Sequence, residues 1–83
     1  MKKNKILIID DSNLQTEALK AILEDEYDIS ISQTAQDGLD NAKNGDFSLI
    51  LLDVIMPDLD GFNVLKQLQG TLLTKYIPII MIT

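Results

Sequence analysis

Two short apolar runs, each ending in aspartate, restrict the folds open to this chain more than any other feature. The first is KILIID, residues 5–10, and the second lies within Ser48 to Gly61, where Leu49 to Leu52 lead into Asp53. Apolar runs of this length, bounded by turn signals, are typical of strands buried on both faces of a parallel sheet. Ligands of open α/β sheets bind at the carboxyl ends of strands, so Asp53 is the first candidate for chemistry.

The composition limits both the class of protein and the kind of metal site that this chain can form. The 83 residues suffice for one small domain, and a content of 46% hydrophobic and 24% charged residues argues against disorder. Cysteine and histidine are both absent, so a metal site here must use oxygen ligands, which favours magnesium, calcium or manganese. The net charge of −6 disfavours binding to nucleic acid. No apolar stretch is long enough to cross a membrane. We expect a soluble, cytoplasmic domain.

A helix is predicted directly after the first run. Ser12, with Gln15 three residues later, fits a capping box at its start. The acidic residues 24–26 are expected to end it. The residues predicted to form its buried face, from their helical spacing, are Leu14, Ala18, Ala21 and Ile22.

Two more helices and two more strands follow. The alternation in Tyr27 to Ser32 predicts a strand at an edge of the sheet, and Thr34 is expected to cap a helix that ends at Gly45. Phe62 to Gln69 has helical spacing, and Ile77 to Thr83 predicts a fourth strand. The predicted buried positions of these two helices are Ala35, Leu39, Ala42, Phe62, Leu65 and Leu68.

The predicted order is therefore β-α-β-α-β-α-β with short connections. Such an order calls for a parallel sheet with right-handed crossovers. The fold class we expect is a doubly wound α/β sheet, in an incomplete form with four strands.

An acidic cluster is expected at one end of this sheet. If the first and third strands are neighbours, then Asp10, Asp11 and Asp53 meet, with adjacent strands about 4.8 Å apart. Two carboxylates at about that separation repel by about 3 kcal/mol at an effective dielectric near 20. A magnesium ion would relieve this repulsion, and an aspartate left free could accept a phosphoryl group as an acyl phosphate. The alternative is that Asp10 or Asp11 only caps the following helix.

Three motifs, in this order, resemble the receiver domain of bacterial response regulators. They are Asp10-Asp11-Ser12 after KILII, the segment Leu52 to Pro57 with Asp60-Gly61 beyond it, and Ile77 to Thr83. The resemblance covers the whole chain, residues 1–83. It implies a flavodoxin-like sheet with strand order 2-1-3-4, in which Tyr27 to Ser32 lies at an edge.

The same resemblance implies a role for each matching residue. Asp53 would be the phosphoacceptor in a two-component phosphorelay, receiving its phosphoryl group from a sensor histidine kinase or a small phosphodonor. Asp11 would bind Mg²⁺ directly, with Asp53 and the backbone carbonyl of Ile55, and Asp10 would act mainly through a metal-bound water. Thr83 would be the switch hydroxyl.

The sequence departs from the family where it stops, at Thr83. The family has a fifth strand that ends in a lysine, which normally pairs with the phosphoryl group, and these residues do not include it. For a domain truncated in this way we expect slow or absent phosphorylation. We also expect Ile79 to Ile82 to form an exposed apolar edge through which the chain associates with itself.

Two other functions remain open at this point. One is a Mg²⁺-dependent phosphatase with an aspartate nucleophile, although such enzymes use Asp-x-Asp on the first strand, whereas here Asp10 and Asp11 are adjacent. The other is a receiver-like scaffold fragment without phosphorylation.

Overall fold

Seven elements alternate along the chain in the predicted order. The computed structural model describes residues 3–55 and 61–82. Its elements are β1 (Asn4–Ile9), α1 (Asn13–Leu23), β2 (Tyr27–Ser32), α2 (Ala35–Asn44), β3 (Leu49–Asp53), α3 (Gly61–Gln69) and β4 (Ile79–Ile82). The predicted strands and helices are thus all present, and β4 begins after Pro78, which has no backbone N–H to give to a sheet.

The four strands form one parallel sheet in the order β2-β1-β3-β4. Ile8 lies opposite Ile31 on one side and Leu51 on the other, so β1 and β3 are neighbours. The fold is the predicted flavodoxin-like α/β arrangement. Here we call β1 and β3 the inner strands, and β2 and β4 the outer strands.

Side-chain oxygens fix the starts of the first two helices, as the sequence predicted. Ser12 Oγ accepts a hydrogen bond from Gln15 N at 3.2 Å, and Thr34 Oγ1 accepts one from Asp37 N at 3.1 Å. These hydroxyls satisfy amide groups that have no partner within the first helical turn. Gly45 N donates to Asn41 O at the end of α2. The hydroxyl caps therefore fix where α1 and α2 begin, directly after the carboxyl ends of β1 and β2.

The two faces of the sheet are covered unequally. On one face, α2 and α3 pack over the alternate residues of the inner strands, and Leu7, Ile9, Ile50 and Leu52 are fully buried there. On the other face, Leu19 and Leu23 of α1 cover Ile6, Ile8 and Leu51. In the described part of the chain, one sheet face thus has two helices and the other has one.

The buried face predicted for α1 was wrong. Leu14 and Ile22 are 84% and 75% exposed, and Ala18 and Ala21 are exposed as well. The helix is apolar on two stripes, and the one that meets the sheet carries Leu19 and Leu23 together with buried Thr16. Helical spacing identifies an apolar stripe but cannot choose between two of them.

The prediction for α3 was wrong at one position. Phe62 is 63% exposed, whereas Leu68 is buried and Leu65 packs against the core, as predicted. Gly61 and Val64 take the buried positions at the start of this helix. Gly61 meets the end of β3 directly.

No helix among residues 3–55 and 61–82 combines the length and the apolar character that a membrane span requires.

Candidate functional site

The carboxyl ends of the inner strands bring together the three aspartates that the sequence predicted. Ile9 and Leu52 lie opposite each other in the sheet, and Asp10 and Asp53 follow them directly. With Asp11, these residues offer carboxylate oxygens that all lie within 4.8 Å of one another. The parallel register therefore creates this concentration of negative charge.

Asp10 is the most enclosed member of the cluster. Its residue is 0% exposed, and Oδ1 accepts a hydrogen bond from Ser12 N at 2.9 Å. Its backbone N donates to Ser32 O at 3.0 Å, which ties it to the end of β2. Among the described residues, no hydrogen-bond partner reaches Asp10 Oδ2, although this oxygen is buried.

Burial raises the pKa of Asp10 above its ordinary value of 3.8. The negative charges of Asp53 and Asp11 raise it further, and the hydrogen bond from the Ser12 amide partly opposes the change. An ionised carboxylate without water or a counter-charge is costly, so burial disfavours the charged form of Asp10. A bound cation would therefore stabilise the negative charge of this cluster.

Asp53 lies at the rim of the same site. It is 7% exposed, and its Oδ1 accepts a hydrogen bond from Ile55 N at 3.1 Å. The backbone just beyond it is fixed on two sides, because Val54 N donates to Ile82 O and Val54 O accepts from Gly61 N, both at 2.9 Å. The strand end that carries this carboxylate is therefore held by β4 and by the start of α3.

Gly61 is a positioning residue that the sequence reasoning missed. A Cβ atom at this position would lie 2.5 Å from the backbone oxygen of Asp53 and 2.6 Å from Val54 Cα. Only glycine permits so close an approach between α3 and the end of β3. In the sequence Gly61 was part of the receiver motif, but its close approach to the end of β3 was not predicted, since the closeness of two distant backbones has no local pattern.

The remaining predicted site residues are placed only in part. Asp11 is exposed at the mouth of the cluster, and Ile55 is 75% exposed. Thr83, the predicted switch hydroxyl, lies outside the described residues, as does the segment from Met56 to Asp60.

The donor set fits a hard divalent cation. Three carboxylates converge, and one buried oxygen, Asp10 Oδ2, has no other partner among the described residues. Mg²⁺ takes oxygen ligands from one or two carboxylates and completes its shell with water or phosphate oxygens. No described lysine directly follows the carboxyl end of a strand.

Comparison with known proteins identifies the family of this chain. Residues 6–83 match the family model described as the response regulator receiver domain. The chain belongs to this receiver domain family. It is 35% identical to the chemotaxis protein CheY-3 of Vibrio cholerae, over 99% of this chain and 65% of that protein. It is 39% identical to the transcriptional regulatory protein YkoG of Bacillus subtilis, over 100% of this chain and 36% of that protein.

Solved receiver structures superimpose closely on the described fold. The N-terminal domain of a response regulator receiver protein from Methanoculleus marisnigri matches with a TM-score of 0.91 at 28% identity, over 95% of this chain and 65% of that one. A CheY-like receiver domain protein from Methanospirillum hungatei matches with a TM-score of 0.89 at 33% identity, over 96% of this chain and 63% of that one. The chain thus spans somewhat less than two thirds of these receivers.

Proposed function

We propose that this receiver domain accepts a phosphoryl group on Asp53, with Mg²⁺ bound beside it, in a two-component phosphorelay. The observation that carries the proposal is the convergence of three carboxylates, within 4.8 Å, at the ends of the inner strands. A receiver is a signalling domain, so the chemistry we propose is its own phosphorylation and dephosphorylation. Membership of the family favours this function over that of an aspartate-nucleophile phosphatase.

Exposure and hydrogen bonding favour Asp53 over Asp10 as the acceptor. Asp10 is 0% exposed, so an incoming phosphoryl group has no path to it. Asp53 is 7% exposed and sits at the rim, where the amide of Ile55 holds one of its oxygens. Positioning of this kind supplies most of what a protein contributes to phosphoryl transfer.

The proposed reaction forms one bond and breaks one. A carboxylate oxygen of Asp53 bonds to phosphorus, and the bond from phosphorus to the donor atom breaks. That donor atom is a histidine nitrogen of a sensor kinase, or an oxygen of a small acyl phosphate, and it retains the electron pair. The product is an aspartyl acyl phosphate.

The residues proposed to hold the ion are Asp11, Asp53 and the backbone carbonyl of Ile55, with Asp10 acting mainly through a bound water. When bound, Mg²⁺ supplies positive charge to the phosphoryl oxygens and to the crowded carboxylates. We further propose Thr83 as the hydroxyl that responds to phosphorylation.

We expect phosphorylation of this chain to be slow. Lysine is the residue type that would add a fixed positive charge, and no described lysine directly follows the carboxyl end of a strand. Among the described residues, no lysine in such a place would help the ion to neutralise the charge that develops on the phosphoryl group. Phosphorylation at the rate of CheY-3 under the same conditions would contradict this expectation.

The test is to incubate the purified chain with acetyl phosphate and Mg²⁺ and to measure its intact mass over time. We expect one phosphoryl group to be added, and we expect the addition to stop in EDTA. Asp53→Asn should abolish it, because an amide oxygen does not form the acyl phosphate. Asp46→Asn, which makes the same change at an exposed position, is the matched control.

The result separates the remaining functions. Phosphorylation that survives Asp53→Asn would refute the assignment of the acceptor. A chain that binds Mg²⁺ but neither gains a phosphoryl group nor binds beryllofluoride would support a receiver-like scaffold. Multiple turnovers of a phosphate ester would instead support a phosphatase.

A further inference from the structure

Ser32, at the end of β2, connects the second helix to the most enclosed aspartate of the acidic cluster. This serine is 1% exposed. Its backbone O accepts the hydrogen bond from Asp10 N at 3.0 Å, and its Oγ accepts one from Asn41 Nδ2 of α2 at 2.7 Å. Two hydrogen bonds therefore join α2, through Ser32, to the backbone of Asp10.

Asn41 makes a contact that its own helix does not require. It lies inside α2, where asparagine is less favourable than most residues because its side chain competes for backbone groups. Its amide instead reaches out of the helix to the end of β2. Asn44, the other asparagine of this helix, donates to Asp40 O and so stays within α2. The two asparagines thus differ in the element that each one holds.

The packing of α2 on β1 fixes the position from which Asn41 reaches Ser32. Gly38 lies three residues before Asn41, and a Cβ atom there would lie 2.7 to 2.8 Å from three side-chain atoms of Ile9. Ile9 is fully buried and directly precedes Asp10. Because glycine has no Cβ, α2 can approach the end of β1 this closely. The end of β1 is therefore held by α2 on one face and by Ser32 at its side.

The Asp10 carboxylate depends on this support of its backbone. The hydrogen bond from Asp10 N to Ser32 O lies beyond the last paired residues of β1 and β2, and the ends of such elements open most readily. Ser12 N holds Oδ1, whereas Oδ2 has no hydrogen-bond partner among the described residues. The direction of the carboxylate therefore follows from the Ser12 amide and from the position of the Asp10 backbone.

We propose that Asn41 is a positioning residue for the cation site, since through Ser32 it keeps the carboxylate of Asp10 directed into the acidic cluster. This inference rests on the Mg²⁺ site of the proposed function and adds to it a residue of α2 that acts only through another residue. Loss of Asn41 would leave the buried hydroxyl of Ser32 without this donor and would free the strand end that holds Asp10 N.

The first experiment measures Mg²⁺ binding to the full chain by calorimetric titration. Asn41→Ala favours the helix, so the variant should fold, yet it should bind Mg²⁺ more weakly. We expect a loss of about threefold to tenfold, less than the roughly 10- to 100-fold typical of groups that bond directly to a metal ligand. Asn44→Ala, which removes the same side chain from the same helix, is the control and should leave the affinity unchanged.

A double-mutant cycle tests whether the effect passes through Ser32. Ser32→Ala should weaken Mg²⁺ binding as Asn41→Ala does, because each substitution removes the same hydrogen bond. The double variant should then bind no more weakly than either single variant. Losses that add in the double variant would overturn the proposal.

Amide exchange separates positioning from a general loss of stability, and it needs no metal. In metal-free buffer, exchange of the Asp10 amide should become about threefold to tenfold faster in Asn41→Ala. Exchange of the Val54 amide, which donates to Ile82 O at the end of β3, should not change. Equal acceleration at both amides would show a general loss of stability and would overturn the proposal.

The outcomes also separate this inference from the proposed function. Mg²⁺ binding needs no phosphoryl transfer, so it can be measured whether or not Asp53 becomes phosphorylated. If the unmodified chain binds no Mg²⁺, both the cation site and the role of Asn41 are refuted. If the unmodified chain binds Mg²⁺ and Asn41→Ala binds it equally well, only the role of Asn41 is refuted. Equal weakening by Asn44→Ala would refute that role too.

Discussion

The inner and the outer strands belong to one parallel sheet but have very different surroundings. In β1, Ile6 to Ile9 are all at most 3% exposed, and in β3, Ile50 and Leu52 are fully buried. In the outer strands only Ser32 is buried, and β4 has no buried residue. The difference arises because each inner strand has two strand neighbours and helices on both faces, whereas β2 and β4 each have one strand neighbour in the described sheet.

The inner strands also carry the chemistry. Asp10 and Asp53 follow the best-packed segments of the chain, so their carboxylates are held by backbone that has little freedom to move. The same burial removes water from Asp10, which makes its charge unfavourable until a cation arrives. Tight packing and the cost of a buried charge thus occur at the same place, the carboxyl ends of the inner strands.

The largest effect on stability is expected at the end of β1. In metal-free buffer with EDTA, Asp10→Asn should raise the free energy of unfolding at neutral pH by about 1 to 3 kcal/mol. It removes a buried charge that faces Asp53 and Asp11. Urea denaturation would measure the change, and Asp28→Asn, an exposed aspartate on outer strand β2, is the control.

The stabilisation by Asp10→Asn is expected to increase with pH. The pKa of Asp10 is raised in the folded protein above its ordinary value of 3.8, so the folded state binds this proton more tightly than the unfolded chain does. Stability from this group is therefore present at low pH and is lost as pH rises from about 3.8 through the raised pKa. The advantage of Asp10→Asn should grow over that interval. Saturating Mg²⁺ should reverse the order, because the ion stabilises the protein with the intact cluster. An advantage that is independent of both pH and Mg²⁺ would contradict the assignment.

The next effect is expected where α3 meets the end of β3. Gly61→Ala should lower the free energy of unfolding by about 1 to 3 kcal/mol, since its Cβ would contact the Asp53 backbone oxygen at 2.5 Å. It should also weaken Mg²⁺ binding, because the strand end must shift. Gly70→Ala is the control, as its nearest contact is 3.3 Å. Denaturation and metal titration of both variants would test this, and equal effects at the two glycines would refute it.

The sequence predicted the inner strands and the acidic cluster because both depend on simple local patterns. A continuous apolar run ending in acid identified β1 and β3, and the parallel order then placed Asp10 beside Asp53. Caps were equally local, and the hydroxyls of Ser12 and Thr34 bind the amides that the spacing indicated.

The wrong predictions concern contacts made in three dimensions. The side of α1 that meets the sheet depends on which of two apolar stripes fits, and Leu14 and Ile22 lie on the exposed one. The close approach of Gly61 to Asp53 also arises from packing between distant segments. The same is true of the burial of Asp10 Oδ2, which has no hydrogen-bond partner among the described residues. Local pattern shows that a residue is apolar or small, but not which neighbour it meets.

The smallest change in the free energy of unfolding is expected for Ile→Val, made once on an inner strand and once on an outer strand. Ile50 of β3 is fully buried, whereas Ile80 of β4 is 51% exposed. Ile50→Val should therefore lower the free energy of unfolding by about 1 kcal/mol, and Ile80→Val by no more than a few tenths. Urea denaturation would measure both costs. Equal costs would show that β4 is as well covered as β3.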